Sequence, residues 1–170
     1  MAAVHRLNQD AGYITSILIQ SWLAAAATPR RANFNFQGIT MKFGYTIVYV
    51  PDVAASLAFF EQAFGFSTRF LHESKTYGEL ETGETTLSFA AHELASMNFQ
   101  TGHVEASSSP KPLGMEVGFV TDDVAAAHAK AVSLGATELS APTAKPWGQV
   151  VSYLRCPDGT LVELCTPAHS

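Results

Sequence analysis

The sequence predicts an α+β fold in which two βαβββ modules form a cupped, half-open barrel sheet. Three observations point there. One phrase occurs twice: Asp52-Val53-Ala54-Ala55 returns as Asp123-Val124-Ala125-Ala126, each copy preceded by a β-rich run and followed by a helical stripe. Each copy also ends in a strand led by glycine, Gly83 to Phe89 in the first and Gly159 to Leu164 in the second. The polar, Ser/Pro-rich stretch 101–112 separates the copies as a linker.

In the first copy, Phe43 to Val50 is rich in β-branched and aromatic residues and reads as a strand. Asp52 is placed to accept from the free amides at a helix start. Val53, Leu57, Phe60 and Phe64 then make an apolar stripe at helical spacing, and Gly65 supplies the left-handed stop. The second copy repeats this with the strand Glu116 to Val120, the cap at Asp122-Asp123, and a helix from Val124 to Leu134 stopped by Gly135. Its last strand is fed by Cys156-Pro157-Asp158-Gly159. There proline presets φ, aspartate bonds its own backbone, and glycine takes the positive φ of the reversal. Val162 and Leu164 then fall on one face, Leu161 and Glu163 on the other. A carboxylate in mid-strand is expected to be solvated, paired or functional, because burying it alone is costly.

The predicted domains are an N-terminal extension over 1–40 and a domain over 41–170, with modules at 41–100 and 113–167. With 47% hydrophobic residues in 170, the chain can bury a core. Its net charge of −5 divides into +2 over residues 1–40 and −7 over the rest. That balance argues against nucleic acid and anionic membrane surfaces as partners. The run Ile14 to Ala27 is too short and too polar to span a bilayer. The extension reads as an appendage without catalytic role, a helix, tag or targeting segment. Two cysteines, Cys156 and Cys165, flank one hairpin and are expected as free thiols, placing the protein in the cytoplasm.

Superposing the modules makes Tyr45 equivalent to Glu116, and Ser88 to Glu163. If the helices cover one face of each sheet, these four side chains line the hollow, with the acidic groups supplied by the second module. Tyr49, Tyr153, Trp147 and Lys145 are the further ligand-binding candidates. Trp147, set between proline and glycine, suits a loop over a flat ligand, and Lys145 beside it attracts anions. His72, His92 and His103 fall in turns or linker, and His128 falls on the second helix. Sequences for a nucleophile elbow, phosphate loop, zincin helix or dinucleotide fold are absent.

The paired βαβββ units, Val-Pro-Asp-Val-Ala before a helix, and Cys-Pro-Asp-Gly-Thr-Leu-Val-Glu-Leu near the end resemble the vicinal oxygen chelate superfamily. That group includes glyoxalase I, bleomycin-resistance proteins and extradiol dioxygenases. The resemblance covers residues 41–167. It implies a homodimer, and a metal held by one ligand from the first and one from the last strand of each module, usually His or Glu. Carried onto this chain, those positions are Tyr45, Ser88, Glu116 and Glu163. Glu163 has the expected ligand type, and Glu116 stands where histidine is common. Tyr45 and Ser88 depart from the pattern and are poor ligands. No cofactor is therefore certain, and a divalent metal (Mg, Mn, Ca, Zn or Ni) held by Glu116 and Glu163 is the alternative.

Two functional readings follow. In one, the protein binds a small organic ligand in an aromatic cup, with Glu116 and Glu163 as polar anchors. In the other, it is a glyoxalase-like lyase or isomerase, and the same two residues are catalytic, as metal ligands or as a base on a carbon acid. A structural alternative pairs the carboxylates with Lys145, Arg155 or Arg69.

Overall fold

A computed structural model describes residues 41–168. The extension expected over 1–40 lies outside the described residues, as does His169. The elements run β1 (Tyr45–Val50), α1 (Val53–Phe64), β2 (Thr68–Leu71), β3 (Tyr77–Leu80), β4 (Thr86–Ala91), α2 (His92–Asn98), β5 (Glu116–Val120), α3 (Val124–Ser133), β6 (Thr137–Ala144), β7 (Val150–Arg155) and β8 (Leu161–Cys165). They build two unclosed four-stranded sheets, ordered β1-β4-β3-β2 and β5-β8-β7-β6. The α+β architecture of two βαβββ modules is the predicted one.

Local chemistry sets the helix ends. Asp52 accepts from the Ala55 amide at 2.9 Å, and Gly65 closes α1 at φ 79°. Asp123 accepts from the Ala126 amide at the same distance, and Gly135 follows α3 at φ 111°. Each removes an otherwise orphaned donor or permits the left-handed exit. α2 is the element that the sequence reading missed. His92 opens this short helix directly after β4, and bonds at 2.9 Å to His103 in the linker. The turn before β8 has the expected form, with Gly159 at φ 90° and Asp158 accepting from the Thr160 amide.

α1 packs on β3 and β4, α3 on β6, β7 and β8, and the two helices touch. Val53, Leu57, Phe60, Leu80 and Phe89 share one core with Val124, Leu154, Val162 and Leu164. Phe119 of β5 joins the modules, packing edge-on or tilted against Phe60, Phe64 and Phe66 at 4.8–6.1 Å between ring centroids. At Gly78 a Cβ would come within 2.7 Å of Leu57, so the glycine allows α1 to lie close on its sheet. The face of each sheet turned from its helix is left for side chains of other chemistry.

The linker is fastened to the second module. Arg155 donates through Nη2 to the carbonyls of Ala106 and Ser109, at 2.5 and 2.6 Å. The Ala106–Ser107 backbone passes so close to Gly159 that any Cβ there would collide with it.

Candidate functional site

Strand register decides which side chains meet. In β4, Leu87 and Phe89 enter the core, so Thr86 and Ser88 take the face turned away from α1, where both are buried. Ser88 pairs laterally with Ile47 of β1 and Glu79 of β3, and Tyr45 pairs with Thr86. In β8, Val162 and Leu164 enter the core and Glu163 takes the free face, between Gly118 of β5 and Tyr153 of β7. Glu116 lies beside Leu161, two residues before Glu163. Tyr45 beside Thr86 and Glu116 beside Leu161 are therefore equivalent, as the sequence superposition requires.

On the second sheet, Tyr153 donates its hydroxyl to Glu163 Oε2 at 2.9 Å. That bond pushes the phenol up to about 12, with burial and the carboxylate charge adding to it. Diagonally across from Glu163, the Glu116 carboxyl is raised by partial desolvation and by that neighbouring carboxylate. The Cys165 thiol is raised by desolvation and by the same carboxylate. At Gly118 a Cβ would meet nothing within 4 Å, so the floor beside Glu163 is open.

None of the basic partners considered from the sequence takes these carboxylates. Arg69 pairs with Glu79 at 2.7 Å. Arg155 is held by the linker carbonyls. Lys145 makes no ion pair among the described residues; its amide and carbonyl close the turn that carries Trp147.

On the first sheet the carboxylate is Glu79, 2% exposed. It accepts from Arg69 Nε and Nη2 and from the Tyr77 hydroxyl, whose oxygen lies 3.2 Å from the Ser88 hydroxyl and can accept from it. Arg69 Nη2 reaches Thr86 as well. Burial pushes the Tyr77 phenol well above its ordinary range. The expectation that only the second module supplies acid on the free face is thus corrected. In the first module the carboxylate sits on the third strand and the hydroxyl on the last (Glu79, Ser88), whereas the second has the reverse (Tyr153, Glu163). The missed signal is Tyr77-Gly-Glu79, an alternation that puts phenol and carboxylate on one face opposite Gly78.

Ser88 thus sits with Tyr77 and Glu79, and Tyr45 shares their face. Glu116, Tyr153 and Glu163 form a separate group. Among the described residues no hydrogen bond or ion pair joins the two. Tyr49 packs against Phe99 and His103, at 5.9 and 5.2 Å between ring centroids. Trp147 is 65% exposed, and its indole donates to Gln149 Oε1. The thiols of Cys156, directly after β7, and of Cys165, the last residue of β8, are free and buried. His128 is buried on α3 and bonds to Glu138.

Among the described residues, no group of three or more His, Cys, Asp or Glu is gathered so as to hold a metal ion. Of the four family ligand positions, two hold a phenol and an alcohol. The donor set does not fit a metal of the kind the resemblance implies. No helix of the described residues is long and apolar enough to cross a membrane.

The model of the Glyoxalase/Bleomycin resistance protein/Dioxygenase superfamily matches residues 42–164. No curated protein matches the chain. Among solved structures, a glyoxalase-related enzyme from Fulvimarina pelagi is 18% identical with a TM-score of 0.63, over 78% of this chain and 89% of that one. A glyoxalase/bleomycin resistance protein/dioxygenase family enzyme from Burkholderia phytofirmans is 24% identical with a TM-score of 0.60, over 74% and 98%. A bleomycin resistance determinant encoded on the transposon Tn5 is 24% identical with a TM-score of 0.52, over 76% and 100%. At these identities the likeness is one of fold.

Proposed function

The chain belongs to the Glyoxalase/Bleomycin resistance protein/Dioxygenase superfamily, and from that premise we propose that it is a small-molecule-binding protein whose anchor is the Glu116–Glu163 pair. One observation carries the reading. Two neighbouring carboxylates, backed by the Tyr153 hydroxyl, lie on the sheet face turned away from α3 and have no cation of the described chain against them. Like charges held together raise the proton affinity of the pair, and the repulsion is relieved by a proton or by a cation from outside. An organic ammonium or amidinium group satisfies that need, with the flat remainder of the ligand laid against aromatic walls. Capture of this kind breaks no bond.

The walls come, on this reading, from a homodimer. One copy brings its carboxylate face, and the other brings Tyr45 and Tyr49; Ser88, wholly buried and bonded to Tyr77, does not reach the ligand. Trp147 and Lys145 belong to the rim. The free thiols suit the reducing cytoplasm.

A second reading makes the same pair an acid and base for a lyase or isomerase. Its support is the raised carboxyl of Glu116, a shift in the direction that favours a proton donor, with Glu163 as its neighbour. It needs no metal.

Thermal-shift measurements on the full chain with a panel of aromatic cations, with and without chelator, test the first reading. Ligand response is expected in the wild type, unchanged by chelator and abolished in both Glu163→Gln and Glu116→Gln. Because Glu163 holds a peripheral hydrogen bond, Glu163→Gln is expected to shift the ligand-free melting point by less than about 2–4 °C, equivalent to under 1 kcal/mol. Unfolding of the variant, or full response in it, defeats the assignment.

A further inference from the structure

Resting on the reading of Glu116 and Glu163 as the anchor, we propose that the linker segment 105–109 regulates this site by holding Arg155 away from the two carboxylates. Arg155 is the only Lys or Arg in the four strands of the second sheet. It shares the face turned away from α3 with Tyr153, because Leu154 between them is wholly buried in the core. In the lateral row it lies beside Leu161, and Leu161 lies beside Glu116. Two strand spacings therefore separate Arg155 from Glu116, about 10 Å between backbones, a gap that an arginine and a glutamate side chain span together. Glu163 is one strand away and two residues along.

A guanidinium so placed would ordinarily close on the acidic pair. Here it is diverted, since Nη2 donates instead to the carbonyls of Ala106 and Ser109. Those carbonyls are positioned by backbone packing. Ala106 is buried, and its peptide lies directly over Gly159, where only a residue without Cβ fits. The Ser109 amide is tied back to the Glu105 carbonyl at 3.1 Å. The Glu105 carboxylate bonds to Ser108. The other titratable groups of the face are Glu116 on β5, Tyr153 on β7, and Glu163 and Cys165 on β8. Glu138, the acid of β6, bonds to His128.

The glycine of the Pro-Asp-Gly turn thus has a second role. It lets the strap seat, and the strap keeps the anchor unpaired and open to a cationic ligand. Lifting the strap frees Arg155 to pair with Glu116 and Glu163, which turns the site off. Arg155 is a positioning residue here and touches no ligand.

The test titrates the Glu carboxyl carbons by ¹³C NMR in the full chain and follows amide exchange of residues 105–109, with no ligand present. In Gly159→Ala, where the strap cannot seat, strap amides are expected to exchange at least about tenfold faster. The Glu116–Glu163 titration is expected to move down by about one unit or more, as an opposite charge arrives within contact range. Arg155→Met combined with Gly159→Ala should restore the wild-type titration. Arg155→Met alone, which keeps the glycine, should speed strap exchange and leave the carboxyl titration in place. An upward shift in Arg155→Met would show that the guanidinium already neutralises the pair, and unchanged strap exchange in it would show that there is no latch. Either result overturns the proposal, even if Gly159→Ala fails to fold. Ligand response plays no part in this test, so its failure leaves the ligand-anchor reading standing.

Discussion

Arg69→Met separates the two carboxylate groups of this protein by their cost. Glu79 is 2% exposed, and Arg69 gives it two of its three hydrogen bonds, at 3.0 and 2.7 Å. Removing the partner of a buried charge typically costs about 3–5 kcal/mol, because the remaining ion is left without compensation. Two features lower that figure here. The Tyr77 hydroxyl still donates to Glu79 Oε1 at 2.9 Å, and the Arg69 side chain is 28% exposed, so water already screens part of the pair. A loss of about 2–4 kcal/mol is the expected result, and for a chain of this length it lowers the melting temperature by roughly 4–16 °C. Urea denaturation at neutral pH measures it. The double variant Arg69→Met/Glu79→Gln should recover most of the loss, since no charge then remains buried. A cost under about 1 kcal/mol for Arg69→Met, or no recovery in the double variant, would refute the view that Glu79 is structural while Glu163 is available.

Other expectations concern the turn and the second-sheet face. Gly159→Val forces a branched residue to φ 90° against the Ala106 backbone. It should cost at least about 1–3 kcal/mol in a denaturant melt. The raised carboxyl of Glu116 has a defined sign. Its contribution to stability is fully present below the ordinary value of 4.5 and is lost as pH rises through the raised one, so stability falls across that window. Glu116→Gln should flatten that slope in melts taken from pH 4 upward. In a spectrophotometric alkaline titration, the Tyr153 phenol ionises near pH 12, and Glu163→Gln should bring it back toward 10. A Tyr153 midpoint that does not move in that variant would contradict the hydrogen bond.

Features that are written locally were legible in the order of the residues. α1 runs from Val53 to Phe64 as its apolar spacing, the Asp52 cap and Gly65 require. The repeat announced the second module, and Pro157-Asp158-Gly159 announced the last hairpin. For Leu161 to Leu164, alternation was enough to send Glu163 away from the core. α2 escaped because His92–Asn98 is short and lacks a capping side chain, and its bond to His103 comes from the linker.

How the charged groups are shared out depends on packing between distant parts of the chain. Arg69, Arg155 and Lys145 were equivalent candidates as partners for Glu116 and Glu163. Arg69 goes to Glu79, ten residues away across β2 and β3. Arg155 goes to backbone carbonyls more than forty residues earlier in the chain. Neither choice is encoded in side-chain pattern. The first follows from strand register, and the second from where a linker packs against a glycine. Hydrogen-bond partners in a sheet lie across strands rather than along them, so a chain read residue by residue shows which groups face one way but not which of them meet.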